Sequence, residues 1–269
     1  MKMSAIHNLI IQSCENDQRE GIILPPQIMK AADLRGYQQV IITRISGDSF
    51  CNRIRSFVIE GDEGCFVTAC GSISKFLKVG DLTCIIAETS ATCVDTEKFN
   101  NDYWPIFDVG FNAETNVDNT EWFIELQYAS KKFITNDKEV LKKAVNSRIG
   151  LTRIHLASLI IGMKINKTHP DCLHGSAEIP RSVLDEANIK QYKSVCVYNS
   201  SLGGEADTYA VAMPEGTVMT TGAMASFASI GNYVNIAAFV ISDKILHSKI
   251  CFTDGIAVIG EKIRIRKKI

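Results

Sequence analysis

The chain has no surplus of charge of either sign. Its 29 Lys and Arg balance 30 Asp and Glu, for a formal net charge of −1 over 269 residues. Nucleic-acid binding needs a basic face, so that class of partner is not expected. The one basic run, "KIRIRKKI" at 262–269, reads as a solvated terminal strand or tail. No apolar stretch approaches ~18 residues, so no membrane-spanning helix is expected. "MKMSAIHNLIIQSC" has one lysine and only a short apolar patch, too little for a secretory leader. The nine cysteines, from Cys14 to Cys251, never form C-x-x-C. An odd count without framework spacing points to a reducing, cytoplasmic setting. The five histidines form neither H-x-x-x-H nor H-E-x-x-H, and no metal site is expected. What is present is ordinary for a globular protein: 46% apolar and 22% charged residues. That length allows one large domain or two of about 100–150 residues.

The chain also repeats itself. "LPPQIMKAADLRGYQQVII" at 24–42 matches "IPRSVLDEANIKQYKSVCV" at 179–197 at a constant shift of 155. Pro25 meets Pro180, Met29 meets Leu184, Tyr37 meets Tyr192 and Val40 meets Val195. A second block follows in the same order: "GSISKFLKVGDLTCIIAE" at 71–88 and "GAMASFASIGNYVNIAAF" at 222–239. Two ordered matches imply two homologous domains, 1–118 and 150–269, joined by a helical connector over 119–149. In "TNDKEVLKKAVNSRIG", Thr135 or Asn136 is the expected helix cap, Lys142 and Lys143 stand near its end, and Gly150 is the expected stop.

Within each copy, strand patterns dominate. "QQVIITRI", "NRIRSFVI", "GCFVTAC" and "LTCIIAE" are short, β-branched and bounded by Gly and Asp. "KSVCVYN", "DTYAVAM", "GTVMTTG" and "YVNIAAFVI" follow suit in the second copy. The fold class is mainly β, and runs buried on both faces suggest a small closed barrel.

"THPDCLHGSAEIP", "VLDEANI", "DTYAVAMPEG" and "GAMASFASIGNYVNIAAF" resemble the pyruvoyl-dependent aspartate 1-decarboxylase family, over roughly 165–255. "IMKAADL", "RSFVIEGDEG", "GSISKFLKVGD" and "WPIFDVGFN" resemble it more weakly over roughly 20–112. The resemblance implies two tandem double-psi β-barrels, the first a degenerate copy. Since the family forms rings of four single barrels, it also implies a homodimer that rebuilds a four-barrel ring. A small amino-acid substrate follows, as does a possible maturation factor.

The implied chemistry has a physical logic. Decarboxylating an α-amino acid leaves a carbanion, and a ketone joined to the substrate amine accepts its electrons. No side chain is a ketone, so the chain must make one. In the family, a serine hydroxyl attacks the carbonyl of the glycine before it, the chain breaks, and the serine becomes a pyruvoyl group. Gly175-Ser176 stands at that position. Thr208 and Tyr209 match the family's Thr-Tyr pair: the threonine assists the acyl shift and the tyrosine reprotonates the carbanion. Gly222 and Ala223, followed by Met224, match a segment whose backbone N–H groups hold an oxyanion or a substrate carboxylate.

Other positions depart from the family. Glu205 replaces the substrate-binding arginine, and a carboxylate there repels a substrate carboxylate. Ile161 falls where the family has a lysine, with Lys164 and Lys167 out of register. Thr221 replaces the asparagine before Gly-Ala. His174 and His169 fit loop and structural roles. In the first copy, "REGIIL" puts Gly21 or Ile22 in the serine slot, and Ser56-Phe57 replaces Thr-Tyr. Arg53, four residues before Phe57, matches the arginine that the second copy lacks, and Arg55 is nearby. A divided site is therefore one expectation: Ser176, Thr208 and Tyr209 from one barrel, Arg53 or Arg55 from the other. The alternative is a non-catalytic binding or assembly protein of the same fold.

Overall fold

The structure, a computed structural model, describes residues 2–16, 19–45, 53–89, 105–128, 131–148, 151–243 and 248–252. The basic run at 262–269, Gly150, Cys51 and Cys93 lie outside the described residues. Two compact units divide the chain, one holding most of residues 1–155 and the other most of 156–269.

The first unit contains β1 (Lys2–Ile10), β2 (Ser13–Glu15), β3 (Gly21–Leu24), α1 (Pro26–Ala31), β4 (Gln39–Arg44), β5 (Arg53–Glu60), β6 (Thr68–Cys70), α2 (Ile73–Phe76), β7 (Leu82–Glu88), β8 (Ile106–Phe111), β9 (Trp122–Tyr128), β10 (Lys131–Ile134) and α3 (Lys138–Ser147). The second contains β11 (Arg153–Lys164), β12 (Lys167–His169), β13 (Ser176–Pro180), α4 (Arg181–Glu186), β14 (Ser194–Asn199), β15 (Glu205–Met213), β16 (Met219–Thr221), α5 (Ala223–Phe227), β17 (Tyr233–Ser242) and β18 (Lys249–Phe252). The protein is mainly β, and the elements from β11 to β18 repeat the order from β1 to β8.

Each unit closes a barrel. In the second, hydrogen-bonded neighbours run β12-β16-β13-β15-β14-β17-β11. β11 then continues into β12 through Ile165 and Asn166, whose amides bond Asn232 O and Val218 O. The first strand of the row is thus the chain continuation of the last. The same order, from β1 through β7, β4, β5, β3 and β6 to β2, closes the first unit. Closure leaves few unpaired strand edges.

Local sequence explains the repeated details. Pro26 sits at the first position of α1, where a missing N–H costs nothing, and α4 starts just after Pro180. Tyr37 and Tyr192 both take left-handed backbone angles, φ 61° and 65°. Each donates its amide to the strand opposite, at 2.7 Å, to Val58 O and Ala210 O respectively. A tyrosine at positive φ is uncommon; here the same bond compensates for it twice.

The apolar faces form two cores. Ile6, Ile22, Ile28, Val58, Ile85 and Phe107 are central to the first. Ile160, Ile179, Leu184, Val197 and Ile236 are central to the second. Ala144 of α3 is buried in the first core, with Val140 and Leu141 packed against it. The 119–149 stretch carries β9 and β10 ahead of that helix. Its cap is Asp137 rather than Thr135 or Asn136, because the Asp137 carboxylate accepts from the amides of Glu139 and Val140. Lys142 and Lys143 fall mid-helix, and Arg148 ends it. Arg148 and Arg153 each donate to Asp33 Oδ2 at 2.7 Å, and Arg148 also donates to Met3 O. Burial lowers the Arg148 guanidinium to about 10, partly offset by the Asp33 charge.

Candidate functional site

The residues that open β13 are placed by three neighbours. β13 pairs parallel with β15 on one edge and antiparallel with β16 on the other, with Ser176 directly across from Thr221. Ser176 is 8% exposed and Thr221 2%. The segment before Ser176 passes over the turn into α5. Gly222, at φ 51°, allows this: a β-carbon there would stand 2.7 Å from Cys172 O and 2.9 Å from His174 O. Only glycine fits both the angle and the space.

The hydrogen bonds around the Gly175–Ser176 peptide form one network. Thr208 Oγ1 donates to Gly175 O at 2.8 Å. Thr221 Oγ1 donates to His174 O at 2.8 Å and accepts the Ser176 amide at 3.0 Å. The Ser176 and Thr221 hydroxyl oxygens are 2.7 Å apart. Because Thr221 spends its single proton on His174 O, the Ser176 hydroxyl is the donor in that pair. Glu178 Oε1 offers a second acceptor 3.4 Å from Ser176 Oγ. The carbonyl before Ser176 is thus polarised, and the hydroxyl after it is held between two acceptors.

Gly175, Ser176, Thr208 and Thr221 come together here. Ala223 and Met224 join them: their backbone nitrogens lie 3.6 Å from where a β-carbon on Gly175 would stand. Thr221 touches the serine itself, a positioning contact that its sequence reading as a substrate-binding residue did not anticipate. Tyr209 lies next to Thr208 on β15, yet on the other face: Thr208 is buried and Tyr209 57% exposed. Arg53 belongs to the first unit, at the exposed start of β5.

Two contacts escaped the sequence reading. Glu178 shares a strand face with Ser176, two residues on, a period-2 signal that was available. Cys196, across from Asp207 on β14 and β15, lies with Asp207 and Glu205 so that one ligand atom of each falls within 4.8 Å of the others. Such a trio is a geometry that can hold a cation, where no spaced motif signalled one. Burial, then the Glu205 charge, pushes the Cys196 thiol well above its usual range, and the thiol donates to Glu205 at 3.5 Å.

This network sits in the part of the chain that matches known proteins. Residues 152–257 match the aspartate decarboxylase family. That segment is similar to aspartate decarboxylases. A relative is the aspartate 1-decarboxylase of Methylococcus capsulatus, 38% identical over 68 residues. The match covers 24% of this chain and 54% of that relative, so the chain spans about half the length of the curated relative it matches. Within the matched segment, the Gly175–Ser176 peptide is the point where a hydroxyl, a polarised carbonyl and two acceptors converge.

Among the described residues, no helix is long and apolar enough to cross a membrane.

Proposed function

We propose that the C-terminal unit cleaves itself between Gly175 and Ser176 to form a pyruvoyl group and then decarboxylates a small amino acid, aspartate or a relative of it. The observation that carries this reading is the Thr208 hydroxyl donating to Gly175 O at 2.8 Å, at the peptide that precedes the family-matched serine. Ser176 Oγ attacks the Gly175 carbonyl carbon, a C–O bond forms and the C–N bond breaks, which frees the Ser176 amine. Negative charge develops on Gly175 O during the attack, where Thr208 donates. The hydroxyl proton must leave Oγ, and Glu178 Oε1 is placed 3.4 Å away to take it. Elimination then expels the Gly175 carboxylate and leaves a dehydroalanine. Hydrolysis of that group releases ammonia and yields the ketone.

The residues present fit such a group: Ser176 is buried, its amide is anchored by Thr221, and the backbone of Ala223 and Met224 lies beside Gly175. The pyruvoyl ketone supplies an electron sink for the carbanion formed as carbon dioxide departs. Tyr209, on the exposed face of β15, is the proposed proton donor, reached across a subunit contact. Gly222, Ala223 and Met224 orient the substrate carboxylate. The shared element order supports tandem duplication, with a homodimer as the proposed four-barrel assembly, acting in the cytoplasm. Glu205 favours a substrate other than aspartate itself.

Denaturing mass spectrometry of the purified chain tests the first step. Cleavage divides 29.7 kDa into pieces of about 19 and 10 kDa, in proportion to residues 1–175 and 176–269. A chain that stays whole after prolonged warming, with and without lysate from its own cell type, overturns the reading. Borohydride trapping with a panel of amino acids then identifies the substrate by mass.

A further inference from the structure

The first unit holds a constellation of its own. In β1, Ile6 pairs with Ile85 of β7 and Leu9 with Thr83, so His7 and Asn8 together oppose the single residue Cys84. This is a β-bulge, and Asn8 takes it at φ 58°. Bulges re-aim side chains. Here the bulge turns the His7 ring towards Cys84, with His7 Nδ1 3.5 Å from Cys84 Sγ. The other ring nitrogen, Nε2, lies 3.6 Å from Asp108 Oδ1, on the strand that flanks β1 on its opposite edge. Lys2 Nζ holds the same carboxylate oxygen at 2.7 Å. Cys84 is half-buried and the His7 side chain is 42% exposed, so the pair is reachable from solvent.

The electrostatics agree with the geometry. Hydrogen bonding to Asp108, and then to Cys84, raises the His7 imidazole to about 9. Burial alone would raise the Asp108 carboxyl, but His7 and Lys2 outweigh it and hold it below its usual range. The surrounding charges are Glu88, across from Lys2, and Glu125, across from Asp108 and ion-paired to Lys132 at 3.2 Å. Arg148 of α3 also feels the Asp108 charge. Thr43 of β4 stands across from Cys84.

We propose that Cys84 is an activated thiol, held as a thiolate beside His7, which Asp108 steadies, and that its ligands are small-molecule disulfides. The thiol proton leaves to solvent, and the thiolate pairs with the Nδ1–H of the protonated His7 ring. The sulfur bonds to one sulfur of the disulfide, that S–S bond breaks, and the second sulfur leaves as a thiolate and takes up a proton. Cys84 is oxidised to a mixed disulfide and the departing thiol is the reduced product. The site needs nothing from the chemistry at Ser176.

Dithiodipyridine added to the full chain at pH 6.5, with the modified cysteines resolved by peptide mass spectrometry, tests this. Cys14 and Cys65 are internal controls, since burial raises both thiols. Cys84 is expected to react at least about tenfold faster than either, and His7→Gln to lose most of that advantage. Because the His7 side chain is 42% exposed and lies outside the apolar core, the variant should fold; thermal melting verifies it. In the wild type, the Cys84 rate should rise by less than about threefold from pH 6.5 to 8.5, against about tenfold per unit for an unassisted thiol. Equal rates at Cys84 and the controls, or a His7→Gln rate matching wild type, overturn the proposal.

Discussion

Gly21 and Ser176 occupy the same place in two barrels of like strand order. Gly21 pairs with Cys70 as Ser176 pairs with Thr221, and Ile22 pairs with Val58 as Ala177 pairs with Ala210. The backbones agree and the chemistry does not. Gly21 sits at φ 117°, where an added β-carbon would stand 2.9 Å from the Phe57 ring and 3.0 Å from Phe57 O. Ser56 takes the place of Thr208, yet its buried hydroxyl has no hydrogen-bond partner. Thr208 uses its hydroxyl on Gly175 O. The strand order is therefore indifferent to the serine, and the hydroxyl network is a separate feature of the second barrel. Fold and activity are specified by different residues of the same strands.

That contrast can be broken most sharply at Ser176 itself. Ser176→Ala should abolish both fragments while leaving the melting temperature within a few degrees of wild type; fragments that persist would place the cut elsewhere. Thr208→Val should slow cleavage by about a hundredfold, the size expected for one donor to a developing oxyanion, read from the time course of the 19 kDa piece. The first unit should answer in stability rather than chemistry. Asp33→Ala leaves Arg148 and Arg153 buried without their shared carboxylate, and should cost about 3–5 kcal/mol in urea unfolding. Gly21→Ser should restore no cleavage and cost about 2–3 kcal/mol through backbone strain and contact with Phe57. Ser56→Ala should change stability by less than about 1 kcal/mol, because the hydroxyl it removes has no partner.

Acidity acts on the first unit in two opposite senses. His155 is buried beside Arg153, and desolvation followed by that charge lowers it to about 4 from 6.5. The unfolded chain then binds a proton that the folded chain refuses between those values. Stability falls as pH drops from 6.5 to 4, by up to about 3 kcal/mol at 1.36 kcal/mol per unit. His7 has the opposite sign: its value near 9 means that its contribution is full below 6.5 and lost as pH rises through 9. Unfolding measured across pH 4–9 should show both slopes, with His155→Gln flattening the acid side and His7→Gln the alkaline side.

Much of the fold is legible in the sequence because period and punctuation set it. "LTCIIAE" is β7 to the residue; the shift of 155 carries Pro25 and Tyr37 onto positions with the same structural roles as Pro180 and Tyr192, and the second block does the same for Gly80 and Gly231. The Asp137 cap was missed by one residue, since several candidate caps stood in a row. Two runs gave shorter strands than their pattern suggested: "GCFVTAC" keeps only Thr68–Cys70 and "GTVMTTG" only Met219–Thr221. Both runs begin in glycine-led turns that hold part of the pattern out of the ladder. At the site, Gly175, Ser176 and Thr208 were readable from a motif. The contact of Thr221 with Ser176, of Cys196 with Glu205 and of His7 with Cys84 was not, because each joins residues of different strands through register or a bulge. Separations of 45 and 77 residues lie beyond any local pattern, and the nine between Cys196 and Glu205 span a hairpin whose register the sequence does not give.

The order of strands around the second barrel gives a cut at Gly175 an unusual aftermath. β11 and β12, before the cut, are hydrogen-bonded to β17 and β16, after it. The two pieces would be interleaved like the fingers of clasped hands, and neither could leave without the whole barrel coming apart. A nicked molecule should therefore travel as one particle in native chromatography and fall into two only in denaturant.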